Sequence, residues 1–329
     1  MGKNFNALIT SQKEDGTFEN IIGEKSLDQL PEGDLLIRVE YSSLNYKDAL
    51  SASGSPGVTR KYPHTPGIDA AGIVEESNNT NFPLGTRTIV TGFDLGMNTS
   101  GGFSEYIRVP SEWAIKCPEN LTTKEAMIIG TAGLTAGLAV EIINKQFRIE
   151  GKKIIVSGST GGVGSMGVKL LSLLGAEVTA ITGKMEHQDF LKNLGAMEII
   201  QRNQFINNTR LPLNKGIYNA GLDVVGGQIL SCIIASMSYK GVIATCGNVG
   251  GAKFETTVFP FILRGNSLIG IDSAESSIKN REKIWNHFAS DWKLSGLGEF
   301  SRIIGLNKIK PEIKKILDGQ QTGRIILEL

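Results

Sequence analysis

The sequence predicts an α/β chain of two domains, a small β-rich domain followed by a doubly wound parallel sheet of six strands. Three observations carry this expectation. The 329 residues suffice for about two domains at roughly 150 residues each. In the first third, short runs dense in Val, Ile and Thr alternate with Pro/Gly/Asn/Asp clusters, the pattern of a twisted barrel or sandwich. From Ala126 onward, long apolar segments alternate with β-branched runs, which is the rhythm of βαβ units.

In chain order, FNALIT, LLIRVEYSS, AAGIVEES and RTIVTG read as strands, punctuated by breakers such as LPEGD and NFPLG. The apolar stretch 126–143 carries three glycines, two threonines and Glu141, with no aromatic belt, and so reads as a buried helix rather than a membrane span. Strands are expected at 153–157, 177–182, 198–201, 222–225, 242–246 and 268–271, with helices between them. An amphipathic helix near 280–292 and a closing strand at 323–329 return to the first domain. The expected division is therefore 1–124, completed by 274–329, and 125–273.

Composition narrows the classes. The 40 glycines follow no three-residue period and 40% of residues are hydrophobic, excluding collagen-like and disordered chains. With 34 Lys+Arg against 33 Asp+Glu there is no general field to gather nucleic acid or an anionic membrane, and neither is expected as a partner. Cys117, Cys232 and Cys246 are scattered and odd in number, which argues for a reducing compartment. The start MGKNFNALIT lacks a signal-type apolar core and has Asn6 where myristoylation needs Ser or Thr, so a cytoplasmic protein is expected.

The strongest chemical signal is G-x-G-x-x-G at Gly162, Gly164 and Gly167, directly after an apolar strand and opening a helix. In a Rossmann sheet this spacing allows a tight turn, approach of backbone N–H groups to a pyrophosphate, and close helix–strand packing. The helix N-terminus adds partial positive charge. At the end of the second strand, a carboxylate would bond the ribose 2′-hydroxyl of NAD. This chain has Thr182, Gly183 and Lys184 there. A charge-assisted bond from Lys184 to a 2′-phosphate is worth about 1.5 to 3 kcal/mol, so NADPH is the expected cofactor, with Arg202 a possible second cation. Glu186 leaves NAD open.

Several blocks together resemble a known family. GTAGLTAG (130–137) and STGGVG (159–164) resemble the medium-chain dehydrogenase/reductase superfamily. SSLNYKDAL (42–50), PGIDAAG (66–72), KEAMIIGTAG (124–133), PFILRG (260–265) and GIDS (270–273) are similar to its zinc-independent quinone oxidoreductase branch of YhdH/YhfP type, which includes acryloyl-CoA reductase. The resemblance spans nearly the whole chain and implies a GroES-like catalytic domain ahead of the Rossmann domain. Zinc-dependent alcohol dehydrogenases of the superfamily carry G-H-E-x-x-G where this chain reads Gly67-Ile68-Asp69-Ala70-Ala71-Gly72. Isoleucine ligates no metal, and no Cys-x-x-Cys occurs. His64, in Pro-His-Thr-Pro, reads as a loop residue.

The resemblance implies NADPH-dependent hydride delivery, without zinc, to an activated double bond of a short enoyl-CoA. A quinone reductase and a non-enzymatic, crystallin-like NADPH-binding protein are the alternatives. It implies catalytic roles for Asn45, whose amide would donate to the substrate carbonyl, and Tyr46, lying at the nicotinamide. The plainer reading is that Asn45 caps a helix over 46–50 and the Tyr46 ring packs in the core. It also assigns Thr131, Thr135, Gly161, Gly162, Val163, Gly164, Ser165, Asn248, Ile262, Ser273 and Gly319 to the cofactor. Arg264 and Arg324 are candidates for the anionic groups of coenzyme A. A homodimer is expected through the loop 250–260 and the last sheet strand.

Overall fold

The computed structural model describes residues 3–209 and 211–329. The chain divides into two compact units. One runs to Thr131 and resumes over Ala274–Asp291 and Ser295–Leu329; the other is Ala132–Ser273 with Trp292–Leu294.

The first unit is β-rich. Strands β1 (Asn4–Gln12) and β2 (Phe18–Ser26) form an antiparallel hairpin. A seven-stranded sheet follows the order β14-β15-β3-β4-β5-β7, with β6 also on β3. Its strands are β3 (Leu35–Ser43), β4 (Asp69–Ser77), β5 (Arg87–Thr91), β6 (Tyr106–Val109), β7 (Ala114–Lys116), β14 (Ser301–Gly305) and β15 (Arg324–Glu328). All its pairings are antiparallel except β14 with β15. Inward residues of the strands, Leu35, Ile37, Val39, Val74, Val90 and Ile107 among them, make one core cluster. A second gathers Leu44, Ala49 and Ala52 of helix α1 (Tyr46–Ala52) and its N-terminal approach with Ile309 and Ile313 of α9 (Ile309–Leu317).

The helix anticipated at 126–143 is α2 (Thr123–Gln146), and it is interrupted: Gly130 has φ 50° and ψ −159°. The division between units falls one residue later, between Thr131 and Ala132, inside the element that the sequence placed wholly in the second domain. The helical pattern is continuous on both sides of Gly130, so periodicity alone does not show the break.

The second unit is a six-stranded parallel sheet in the order β10-β9-β8-β11-β12-β13. The strands are β8 (Lys153–Val156), β9 (Glu177–Thr182), β10 (Glu198–Gln201), β11 (Tyr218–Asp223), β12 (Met237–Thr245) and β13 (Ser267–Gly270). The strand order reverses between β8 and β11, the switch point at which such sheets hold ligands beyond their carboxyl ends. Helices α3 (Gly162–Leu173), α4 (Gln188–Asn193), α5 (Arg202–Asn208), α6 (Gly227–Ala235) and α7 (Phe259–Arg264) connect them. Ile155, Ile229, Ile233, Met237 and Ile243 belong to the core here. Helix α8 (Ile278–Ala289) of the first unit starts where the Ser277 hydroxyl accepts from Asn280 N–H and buries Ile284, Trp285 and Phe288.

Candidate active site

The second unit presents the phosphate turn. Gly158 takes φ +55° after β8, and Gly161 caps α3. A Cβ on Gly164 would lie 2.3 Å from the Gly158 carbonyl oxygen, and one on Gly167 would lie 2.3 Å from Leu222 Cδ2 of β11. Only glycine lets the helix approach both its own entry turn and the neighbouring strand so closely. The first-turn N–H groups of Gly162, Val163 and Gly164 have no acceptor within the helix and open toward an anion. Ser165, in the first turn of α3, is fully buried; its N–H bonds Gly161 O at 2.9 Å and its hydroxyl donates to Gly162 O at 3.1 Å.

The end of β9 gathers two cations. Thr182 Oγ1 accepts the Lys184 N–H at 2.9 Å, shaping the turn at Gly183. A Cβ on Gly183 would meet the Arg202 guanidinium carbon at 3.4 Å, because Gln201 pairs with Thr182 across the sheet and α5 begins at Arg202. Burial lowers the Lys184 pKa, with Glu186 opposing the shift. Elsewhere in this unit, the Thr135 hydroxyl donates to Ser273 Oγ at 2.7 Å, tying α2 to the segment after β13. Asn248 is exposed after β12, and Ile262 is 68% exposed on α7. Arg264 is not available to a coenzyme A tail, since its guanidinium bonds the carbonyl oxygens of Ala235, Met237 and Asn214.

In the first unit, Tyr46 opens α1 and is 38% exposed, so its ring does not pack in the core. Asn45 stands at the N-cap position, but its side chain makes no capping bond. The Asp48 carboxylate makes the reciprocal one, accepting the Asn45 N–H at 2.7 Å. Asn45 Nδ2 donates to Asp69 Oδ2 (2.8 Å) and to Ser43 O (3.2 Å), while its Oδ1 accepts from Arg324 Nη1 (3.1 Å).

Those bonds belong to a buried network. Asp69, fully buried at the start of β4, accepts at Oδ2 from Ser43 Oγ (2.6 Å), Asn45 Nδ2 and Thr131 N–H (2.9 Å), and at Oδ1 from Thr131 Oγ1 (2.6 Å). Arg324, 2% exposed, donates to Ser43 Oγ (2.8 Å) and Ile128 O (3.0 Å), with Nη2 3.9 Å from Asp69 Oδ2. It too is unavailable to coenzyme A. Burial pushes the Asp48 carboxyl up to about 7, reinforced by the Asp69 charge and opposed by the N–H groups of Asn45 and Ile68. The Gly130 kink makes room: a Cβ there would lie 2.7 Å from both Arg324 Nη2 and Asp69 Oδ2.

This donor set does not fit zinc. Ile68 occupies the position of the superfamily's histidine ligand, Asp69 is saturated by hydrogen-bond donors, and among the described residues no group of three His, Cys, Asp or Glu side chains could hold a metal. Burial raises the Cys117 and Cys246 thiols to about 11 and about 12, so neither is a thiolate at neutral pH. Gly319, assigned to the cofactor by resemblance, follows the last turn of α9 at φ +69°, and Gln320 N–H bonds Lys315 O at 2.8 Å. Its conformation is that of a helix stop.

Sequence reasoning passed over Asp48, Asp69 and Asp223. Asp223, fully buried at the end of β11, accepts from the hydroxyls of Ser157 (2.7 Å) and Thr245 (2.9 Å) and from Gly226 N–H (3.0 Å). The available signal was a lone Asp within apolar runs, in PGIDAAG and AGLDVVGG.

The alcohol dehydrogenase GroES-like domain family matches residues 31–119, and the zinc-binding dehydrogenase family matches residues 162–289. Acrylyl-CoA reductase AcuI of Ruegeria pomeroyi is 38% identical over 327 residues, covering 99% of each chain. Among solved structures, YhfP of Bacillus subtilis with NAD bound has a TM-score of 0.96 at 38% identity over 100% of both chains. YhdH of Escherichia coli K-12 with bound NADPH has 0.93 at 36% identity, covering 98% of this chain and 99% of that one. The chain thus belongs to the medium-chain dehydrogenase/reductase family of oxidoreductases, in the YhdH/YhfP-like branch that includes the acrylyl-CoA reductases.

Proposed function

We propose that the protein is a zinc-independent, NADPH-dependent reductase that saturates the activated double bond of a short enoyl-CoA. The observation that carries the cofactor half of this reading is the pair of cations, Lys184 and Arg202, beside Gly183, where an NAD-selective site has a carboxylate. The substrate class is taken from the similarity to AcuI.

NADPH supplies the hydride. The chain's part is to bind and orient. The N–H groups of Gly162, Val163 and Gly164 take the pyrophosphate, while Lys184 and Arg202 take the 2′-phosphate. Thr135 and Ser273, bonded to each other, form part of the surface assigned to the nicotinamide, with Asn248 and Ile262. Tyr46, exposed at the start of α1, is a residue of the first unit that the family resemblance assigns to the nicotinamide end. Its hydroxyl and water are the two sources of the α-carbon proton. Asn45, whose amide donates to Asp69 in the first unit, is the residue the family resemblance assigns to the thioester oxygen.

Reduction of a quinone is a second reading, favoured by the similarity to the human quinone oxidoreductase, 25% identical over 306 residues. We also propose a cytoplasmic homodimer. The edge strand β13 and the exposed Val249, Phe254, Val258, Phe259 and Leu263 support pairing through this face.

A steady-state screen with acryloyl-CoA, enones and 1,2-naphthoquinone, using NADPH and NADH before and after chelation, tests the reading. NADPH loss stoichiometric with acryloyl-CoA and insensitive to chelator is expected. Turnover of the quinone alone supports the second reading. Tight NADPH binding without turnover of any acceptor refutes both and leaves a crystallin-like binding protein, and activity lost to chelator and restored by zinc refutes the metal-free chemistry.

A further inference from the structure

Three of the ionisable side chains buried in the first unit, Asp48, Asp69 and Arg324, lie together at 2% exposure or less, and the proposed reaction uses none of them directly. Burying such a set is expensive, and an apolar filling of similar volume often stabilises a fold as well or better. Their bonds have a common direction. Ser43 and Asn45, which donate to Asp69, lead straight into Tyr46. Thr131 gives Asp69 both its N–H and its hydroxyl, and it can do so because Gly130 breaks α2 one residue earlier. Arg324 closes the assembly from β15 through Ser43 Oγ and Asn45 Oδ1.

We propose that Asp69 is a positioning residue for hydride transfer: it holds the turn that starts at Asn45, and hence the backbone of Tyr46, in fixed register with Thr131. This rests on the reading that Tyr46 and Thr131 meet the nicotinamide. Asp69 touches neither substrate nor cofactor in this scheme and acts through the residues it holds. The charged groups facing Asp48 are Asp69 on β4 and Arg324 on β15, so the carboxylate pair is also electrostatically coupled.

Asp69→Asn keeps the shape but offers one acceptor oxygen to donors that the carboxylate met with two. The α3 phosphate turn lies in the other unit and is unchanged. Turnover by the wild type must first be established, and its absence refutes the functional reading rather than this one. Given turnover, Asp69→Asn is expected to lower kcat about 10- to 100-fold, while the NADPH Kd, read by fluorescence titration, stays within about threefold. Without cofactor, the pH at which stability bends, near 7 in the wild type through Asp48, should move down once the neighbouring charge is removed. If Asp69→Asn does not fold, Ser43→Ala and Ser43→Thr carry the test: Ala loses the hydroxyl that donates to Asp69 Oδ2 and lowers kcat at unchanged NADPH Kd, and Thr recovers most of that loss. An unchanged kcat in folded Asp69→Asn or in Ser43→Ala, or kcat and NADPH affinity falling in proportion, overturns the proposal.

Discussion

Gly130→Ala is the most direct perturbation of the buried network. At φ 50° and ψ −159° the residue occupies a backbone region that costs a non-glycine residue about 1 to 3 kcal/mol. The added methyl would also lie 2.7 Å from Arg324 Nη2, 2.7 Å from Asp69 Oδ2 and 2.8 Å from Ser43 Oγ. None of these atoms is the loose end of a surface side chain, for each is held by the bonds described above, and relieving such a clash costs about 1 to 3 kcal/mol. The total is about 2 to 6 kcal/mol, a fall of roughly 3 to 9 °C in thermal midpoint for a chain of this size. Gly319→Ala is the control: φ is +69° but nothing lies within 4 Å of the added carbon, so only backbone strain of about 1 kcal/mol remains. Differential scanning calorimetry of both variants separates the steric part. If Gly130→Ala melts no lower than Gly319→Ala, the packing described around Asp69 and Arg324 is wrong.

Lys184→Asp should raise the KM for NADPH about ten- to a hundredfold and leave that for NADH nearly unchanged; equal effects on the two would show that Lys184 does not read the 2′-phosphate. Asp48, ordinarily near 3.8 and raised to about 7, holds a proton in the folded chain that the unfolded chain releases. Its contribution therefore falls as pH rises from about 4 to 7, by at most about 4 kcal/mol, and is level above that. Denaturant unfolding of wild type and Asp48→Asn should show Asn costing more at pH 5 than at pH 8, and a difference constant with pH would refute the assignment.

Most of the parallel sheet was legible because its strands are apolar, β-branched runs between breakers, and the phosphate turn because three glycines follow such a run at fixed spacing; β11, YNAGLD, has no β-branched residue and runs over Tyr218–Asp223, where a strand was expected at 222–225. Strand β2, FENIIGEKS, and strand β14, SRIIG, escaped notice because their faces are largely solvated and their pattern lacks an apolar stripe. Asn45 and Tyr46 were named from their motif, but the partners of the Asn45 amide were not legible: capping chemistry is local, whereas Asp69 and Arg324 arrive from β4 and β15. Arg324 read as a surface cation for the same reason. A pairing made across a sheet has no signature in either segment alone.

The two units solve one problem with one device. A loop that must hold its shape against a ligand needs its N–H and O–H donors satisfied, and a buried carboxylate at a strand end accepts several at once. Asp223 collects Ser157 beyond β8, Thr245 on β12 and the turn before α6; Asp69 collects Ser43, Asn45 and Thr131. They differ in charge balance. Asp223 is held by neutral donors, while Asp69 shares its surroundings with Asp48 and Arg324. Two carboxylates and one guanidinium carry a net charge that a single proton on Asp48 cancels. In the first unit the turn at Asn45 is ordered by hydrogen bonds and one ion pair. The first unit therefore gains, through Asp48, a pH dependence of stability that extends to about pH 7.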